Sequence, residues 1–499
     1  MRDAFRCVSL YCTMIGFPPR YSTYASLSHR STEERLVLFW LAAESLEWEV
    51  GTATPDSLTA FTHFSLKSWN EQVSIDFSQE EIELFSVSTG VQVLDFGRNR
   101  QNVIRLLRAL HSIDAAIAPE ELEAAIQERR HLIRPEGETV HLTRSRRVVN
   151  GFTQVFKPVK GYFVTPILIV LNALIFLITT NKWLFPQSSG WTPAGEALNA
   201  VGANYKPLTL FGEPWRLVSA GFLHANGFHL FFNMYAVMMC GIYLEPLLGR
   251  ARFALVYLLT GIGGALAGLW WYDITPSLGA SASVFGLFGF ILALLLHKFI
   301  EPRERKALLV SIGIYLVMNL ASIFFSTNYD HAAHFGGLFC GLLMGLLWLP
   351  GLRPTASPKR KTGFTVLGLA VCGIIFSAAY FLAPRDVNVY LEKRTKMDEN
   401  YLMASGAYTA RTNEERMKWL KNYAIYYMDE NLRIMDEVDK LHLAQDSRRQ
   451  NRILRKIYTT QKQLFVWNYK TLSEGKNPYD TEILRALKQL DSLQQQLDY

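Results

Sequence analysis

Hydrophobic and polar positions divide the chain into three regions. Between residues 161 and 384 run seven stretches without a charged side chain: Gly161–Asn181, Leu217–Leu244, Phe253–Tyr272, Ile274–His297, Ala307–Tyr329, His331–Leu352 and Thr362–Pro384. A helix rising 1.5 Å per residue needs about 18–20 apolar residues to cross a hydrocarbon core of ~30 Å, so each stretch predicts a membrane-spanning helix. Residues 1–150 follow another pattern. Glu33–Glu44 reads as helix, Trp48–Thr54, Gln72–Phe77 and Ile82–Val87 as strands. Asn99–Ser112 reads as a second helix, with Val103, Leu106, Leu107 and Leu110 at 3–4 spacing. This predicts a soluble α/β domain, without a catalytic motif and read as an adaptor. Beyond residue 385, Met428, Leu432, Met435, Val438 and Leu441 keep helical spacing, as do Leu484, Leu487, Leu490 and Leu497, with a break at Asn477–Pro478. That region predicts a small helical bundle acting as a structural appendage.

Basic residues orient the spans. Arg144, Arg146, Arg147, Lys157 and Lys160 precede the first; Arg250 and Arg252 separate the second and third. Lys298, Arg303, Arg305 and Lys306 separate the fourth and fifth, and Arg353, Lys359, Arg360 and Lys361 the sixth and seventh. The opposite side carries only Lys182, Lys206 and Arg216, in one long loop. The positive-inside rule then places residues 1–150 in the cytoplasm and residues 385–499 outside. The long 182–216 loop is a candidate functional loop, with Trp215–Arg216 as an amphipathic pair at the interface.

Composition agrees. The 499 residues are 49% hydrophobic and 19% charged, against ~25% charged in soluble domains. The net charge of +7 lies beside apolar runs, which assigns it to membrane orientation rather than to nucleic acid. Five scattered cysteines predict neither a disulfide framework nor a structural zinc site; Cys240 and Cys340 read as apolar fillers. No long apolar segment precedes Pro18–Pro19, so neither a signal nor a transit peptide is expected, and Met14 is an alternative initiator. With the basic residues inside, this favours a bacterial plasma membrane.

Polar groups at membrane depth mark function by default. His229 and Asn233 stand at i,i+4 on the second span, with His224 just before them. Ser281 opens the fourth span and His334 the sixth, and the topology puts His229, Asn233, Ser281 and His334 at one depth near the outer side. A serine hydroxyl needs a base about 3 Å away, and an imidazole with pKa ~6.5 is suited to that task. Asn233, His229 and the Ser281 N–H can serve the oxyanion. Asp330 precedes His334 by one turn at the surface end and is not cast as a triad member, which leaves a Ser–His dyad. His334, Gly337, Gly341 and Gly345 share one helix face; Ala282, Gly286 and Gly289 form a second smooth face, so the two helices can approach closely. Pro276 and Gly279 predict non-helical backbone before Ser281, which recesses the hydroxyl.

On these residues the chain resembles the rhomboid intramembrane serine proteases over roughly residues 155–350. Gly279-Ala280-Ser281-Ala282, Ala333-His334 with Gly337 and Gly341, His229 with Asn233, Gly241-Glu245-Gly249, and Trp215–Arg216 correspond in order and topology to rhomboid motifs. The resemblance implies Ser281 as nucleophile, His334 as base, His229 and Asn233 as oxyanion donors, and no cofactor or metal. It also implies single-pass transmembrane substrates cut near the outer face. Two positions depart from the common pattern: Ala282 where many members have glycine, and Phe285 where many have a tyrosine that stacks on the histidine. Glu245 reads as a cap or bridge rather than a reactant.

The expected fold is therefore a polytopic α-helical membrane protein. It has a soluble α/β domain (1–150), a six-helix rhomboid core (155–352), a seventh span (362–384) and an extracytoplasmic helical domain (385–499). A catalytically inactive rhomboid-like binding protein is the alternative, although such relatives lose the serine or the histidine, and this chain keeps both. A transporter would carry paired intramembrane charges and internal repeats, neither of which is present.

Overall fold

The computed structural model describes residues 11–13, 19–62, 71–79, 81–88, 96–133, 156–297, 330–353, 356–475 and 478–498, with isolated positions at 305, 309 and 312–313. Apart from positions 309 and 312–313, the expected span Ala307–Tyr329 lies outside the described residues, as do Arg144, Arg146, Arg147, Lys298, Arg303, Lys306 and Asn477.

In the N-terminal region, strands β1 (Tyr11–Thr13), β2 (Arg20–Ala25), β3 (Glu49–Thr54), β4 (Ser57–Phe61), β5 (Glu71–Asp76) and β6 (Ile82–Ser88) form one sheet in the order β1-β2-β6-β5-β4-β3. Every pairing among the described residues is antiparallel, so there the expected α/β domain is an antiparallel sheet covered by helices, without a parallel crossover unit. Helices α1 (Thr32–Ser45), α2 (Arg98–Ala116) and α3 (Pro119–Arg129) complete it, with Leu36, Phe39, Ile75, Leu84, Val103 and Leu106 in a shared core. Ser31 and Glu34 form a reciprocal capping box that starts α1.

The membrane region supplies apolar helices α4 (Val164–Thr179), α5 (Gly227–Leu248), α6 (Arg250–Trp271), α7 (Ser281–Leu296), α8 (His331–Leu352) and α9 (Pro358–Phe381). Four of these are 22–24 residues long and apolar enough to cross a bilayer; α4 and α7 are apolar helices of 16 residues. The chain is a membrane protein. Local signals set the helix starts. Asn226 accepts the N–H of His229 at 2.9 Å and begins α5 there, so Leu217–Ala225, expected within the second span, forms short turns ahead of it. Asp330 caps α8 through the N–H of Ala333 at 2.9 Å. Gly279, at φ +123°, holds the backbone before α7 out of a helix, a conformation that only glycine adopts without strain. His229, Ser281 and His334 accordingly all fall in first turns.

Small residues bring α6, α7 and α8 into backbone contact. A methyl on Gly337 would strike the Ala282 carbonyl, one on Gly341 the Gly286 carbonyl, and one on Gly289 the Leu338 carbonyl. Both smooth faces expected from the sequence are thus used against each other. Glu245, fully buried on α5, accepts the N–H groups of Phe163, Val164 and Thr165 at 2.5, 2.7 and 2.9 Å and the Thr165 hydroxyl at 2.7 Å. It therefore caps the start of α4 from a neighbouring helix.

After α9, helices α10 (Val387–Ser405), α11 (Ile425–Val438), α12 (Gln445–Glu474) and α13 (Asp480–Asp498) form a bundle around Tyr390, Met397, Met428, Met435, Leu454 and Phe465. On α13 the inward face is Ala486, Leu490 and Leu493; Leu484 and Leu487 are exposed, which corrects part of the expected stripe. The bundle is joined to the loops of the membrane region. Asp273 receives the Lys206 ammonium at 2.6 Å on one oxygen and the N–H of Ala444, at the start of α12, at 2.8 Å on the other. Both side chains of the pair are buried. Burial opposes the charge on Lys206 and lowers its pKa, an effect countered by Asp273.

Candidate active site

Ser281 begins α7 and His334 lies in the first turn of α8, and packing of the two helices sets Ser281 Oγ 2.8 Å from His334 Nε2. In the neutral imidazole an unprotonated Nε2 accepts the hydroxyl proton, the arrangement from which a base activates a serine for acyl transfer. His334 is 9% exposed, so the pair is recessed while still reachable. The neighbouring Ser283 is buried and donates to the Tyr257 carbonyl on α6 at 2.8 Å, which commits its hydroxyl to packing.

The segment leading to Ser281 is held on several sides. Ser277 exchanges backbone hydrogen bonds of 2.9 Å in each direction with Asn204, and Gly279 N–H donates to the Ala220 carbonyl at 2.9 Å. A methyl on Gly279 would meet the His229 ring at 2.9 Å and Ser281 Oγ at 3.4 Å, so His229 and Ser281 border the same point. His229 Nδ1 accepts the N–H of Ala225 at 3.4 Å, which puts the ring proton on Nε2, the nitrogen facing Gly279. His224 stacks edge-on against His229, with centroids 5.1 Å apart.

Asn233 is buried on α5, one turn below His229, and its amide nitrogen donates to the His229 carbonyl at 2.9 Å. One of its two N–H groups is therefore spent on its own helix, and the second is the donor it can offer to a ligand. The structure thus joins Ser281 to His334 directly, sets His229 beside their approach, and gives Asn233 an internal bond that sequence reasoning did not anticipate. Asp330 also plays a larger part than expected. It caps α8, as an aspartate just before a helix can, and it accepts the Ser277 hydroxyl, a contact between two loops that has no sequence signal. Arg216, buried beneath the Trp215 ring at 4.9 Å, donates to Glu213 and to the Asn199 and Ala203 carbonyls, making the expected interfacial pair a brace for the 182–216 loop. Among the described residues no group of three His, Cys, Asp or Glu side chains is placed to hold a metal ion.

Residues 212–351 match the family profile described as the Rhomboid domain. The chain is 35% identical over 158 residues to RHOMBOID-like protein 6, mitochondrial, of Arabidopsis thaliana, covering 32% of this chain and 51% of that protein. It is 33% identical over 223 residues to Rhomboid-like protease 1 of Toxoplasma gondii, covering 42% and 76%. To Rhomboid protease GluP of Bacillus subtilis it is 34% identical over 227 residues, covering 44% and 41%. It spans about half the length of the first of these relatives, or less in the case of the third. Another Arabidopsis thaliana relative, 34% identical over 178 residues, is named inactive.

Proposed function

Because the chain belongs to the rhomboid family, we propose that it is an intramembrane serine endopeptidase that cleaves single-pass transmembrane proteins with a Ser281–His334 dyad. Ser281 Oγ attacks the scissile carbonyl while His334 Nε2 takes its proton. The tetrahedral oxyanion is met by the N–H of Ser281, His229 Nε2–H and the free N–H of Asn233. Collapse of the intermediate breaks the C–N bond as His334 returns the proton to the leaving amine, leaving an acyl ester on Ser281. Water, deprotonated by His334, then hydrolyses that ester. The observation that carries this reading is the 2.8 Å contact between Ser281 Oγ and His334 Nε2 at the recessed ends of two apolar helices. The same contact weighs against an inactive binding protein, since such a protein has no need of the pair.

The basic residues support a site that opens to the outside, with the N-terminal domain in the cytoplasm and a plasma membrane as its location. The protein purified in detergent, incubated with a labelled transmembrane model substrate, tests the reading. Wild type should release two fragments, and Ser281→Ala none, with thermal stability near wild type. Cleavage by Ser281→Ala together with loss of cleavage by Ser283→Ala would overturn the assignment.

A further inference from the structure

Ser281 and His334 sit on different helices, and proton transfer between them requires their first turns to stay in register within about half an ångström. One side chain reaches both segments. Asp330 Oδ1 accepts the N–H of Ala333, the residue before His334, at 2.9 Å, and Oδ2 accepts the hydroxyl of Ser277, in the loop that ends at Ser281. Ser277 is in turn locked to Asn204 by two backbone hydrogen bonds of 2.9 Å. Asn204 donates from its amide to the Ala265 carbonyl of α6 at 2.9 Å and accepts the Thr209 hydroxyl at 2.9 Å. The carboxylate therefore fastens the α8 start to the loop carrying Ser281, and this joint is tied to α6 and to the outer loop.

We propose that Asp330 is a positioning residue, which sets the separation of Ser281 from His334 by bridging Ser277 to the first turn of α8; this rests on the dyad reading above. It acts through placement and takes no proton in the reaction. Two oxygen acceptors facing two donors explain an aspartate here. An asparagine can preserve both bonds, with its oxygen capping Ala333 and its amide donating to the Ser277 oxygen, whereas alanine preserves neither.

The test compares Ser281→Ala, Asp330→Ala, Asp330→Asn and Ser277→Ala on a labelled transmembrane model substrate, with a fluorophosphonate reporting on Ser281 itself. Asp330→Ala should lower kcat by ~10²-fold with KM unchanged, the scale expected when reacting groups are misplaced by about 1 Å. Ser277→Ala, which keeps the helix cap and removes only the bridge, should lower kcat by ~10-fold and slow labelling in parallel. The double variant Asp330→Ala/Ser277→Ala should be no slower than Asp330→Ala alone, because both break one joint. Asp330→Asn should restore kcat to within ~3-fold of wild type. Full kcat in Ser277→Ala, or Asp330→Asn as slow as Asp330→Ala, would overturn the proposal while Ser281→Ala remains inactive. Cleavage by Ser281→Ala would instead overturn the dyad reading. If Asp330→Ala fails to fold, Ser277→Ala and Asp330→Asn decide the question.

Discussion

Phe285 lies flat against the imidazole of His334, with ring centroids 4.3 Å apart and planes 5° from parallel. The position where many rhomboids carry tyrosine thus keeps the ring contact without the hydroxyl. A stacked pair is worth about 0.5–1.5 kcal/mol beyond its burial, and a tenfold rate change corresponds to about 1.4 kcal/mol. Phe285→Ala should therefore slow single-turnover cleavage by roughly 3–10-fold through a less constrained imidazole, while Phe285→Tyr should stay within about twofold of wild type. Full speed in Phe285→Ala would assign the orientation of His334 to its other neighbours.

Asn233 has one N–H engaged with the His229 carbonyl and one to offer. Asn233→Ala should lower kcat by ~10–10³-fold and leave the binding of uncleaved substrate little changed, because the donor matters most where negative charge develops. Labelling of Ser281 by a fluorophosphonate should slow as well. A rise in KM with kcat intact would make Asn233 a docking or structural residue.

Gly337 touches the Ala282 carbonyl so closely that a methyl there has no space. Gly337→Ala should push α8 from α7 and cut fluorophosphonate labelling by about 10²-fold, at a stability cost of ~1–3 kcal/mol. Gly373, on α9, has open space around the same position, and Gly373→Ala should label at the wild-type rate. Equal labelling of both variants would show that the close approach of α7 and α8 does not set the dyad.

Glu245 gathers four donors at the start of α4. Glu245→Ala leaves those donors buried and unpaired, at a cost of about 3–5 kcal/mol, and Glu245→Gln keeps part of the cap at a smaller cost. Thermal unfolding in detergent should rank wild type above Glu245→Gln above Glu245→Ala. Activity per folded molecule, from active-site titration, should stay near wild type for Glu245→Gln. A rate loss without a stability loss would point to a direct part in catalysis.

Orientation is tested with single cysteines in a background lacking the native ones. Positions Ser189 and Glu414, both exposed, should react with an impermeant thiol reagent from outside intact cells, and Lys359 should not. Equal reaction at all three would contradict the proposed topology.

The geometry of the proposed dyad is readable in the sequence to the extent that helix caps and small residues encode it. Asn226, Gly279 and the i,i+4 glycines of α8 are local signals, and they place His229, Ser281 and His334 in first turns on facing helices. Apart from the pairing of Ser281 with His334, contacts between segments distant along the chain are not readable. The use of Asp330 by Ser277 depends on where two loops meet, and the buried Lys206–Asp273 pair looks in sequence like two ordinary loop charges. In the N-terminal domain, β2 and β4 alternate Thr, Ser and Ala with larger residues, a pattern too weak to announce a strand, although Thr23 and Ala60 are fully buried. On α13 the leucines recur at helical spacing on two faces, and only packing against α12 selects the face with Leu490 and Leu493.

The bond from the Ala444 N–H to Asp273 joins groups 171 residues apart, and it constrains the path of the chain between them. Two groups in direct contact occupy the same compartment, so the loop carrying Asp273 and the start of α12 lie on one side of the bilayer. That shared side owes nothing to the distribution of lysine and arginine and applies to either absolute orientation. It also makes the bundle a sentinel for the mouth of the site. Whichever compartment an antibody or protease must occupy to reach residues 385–498, the loops around Asp273 face that same compartment.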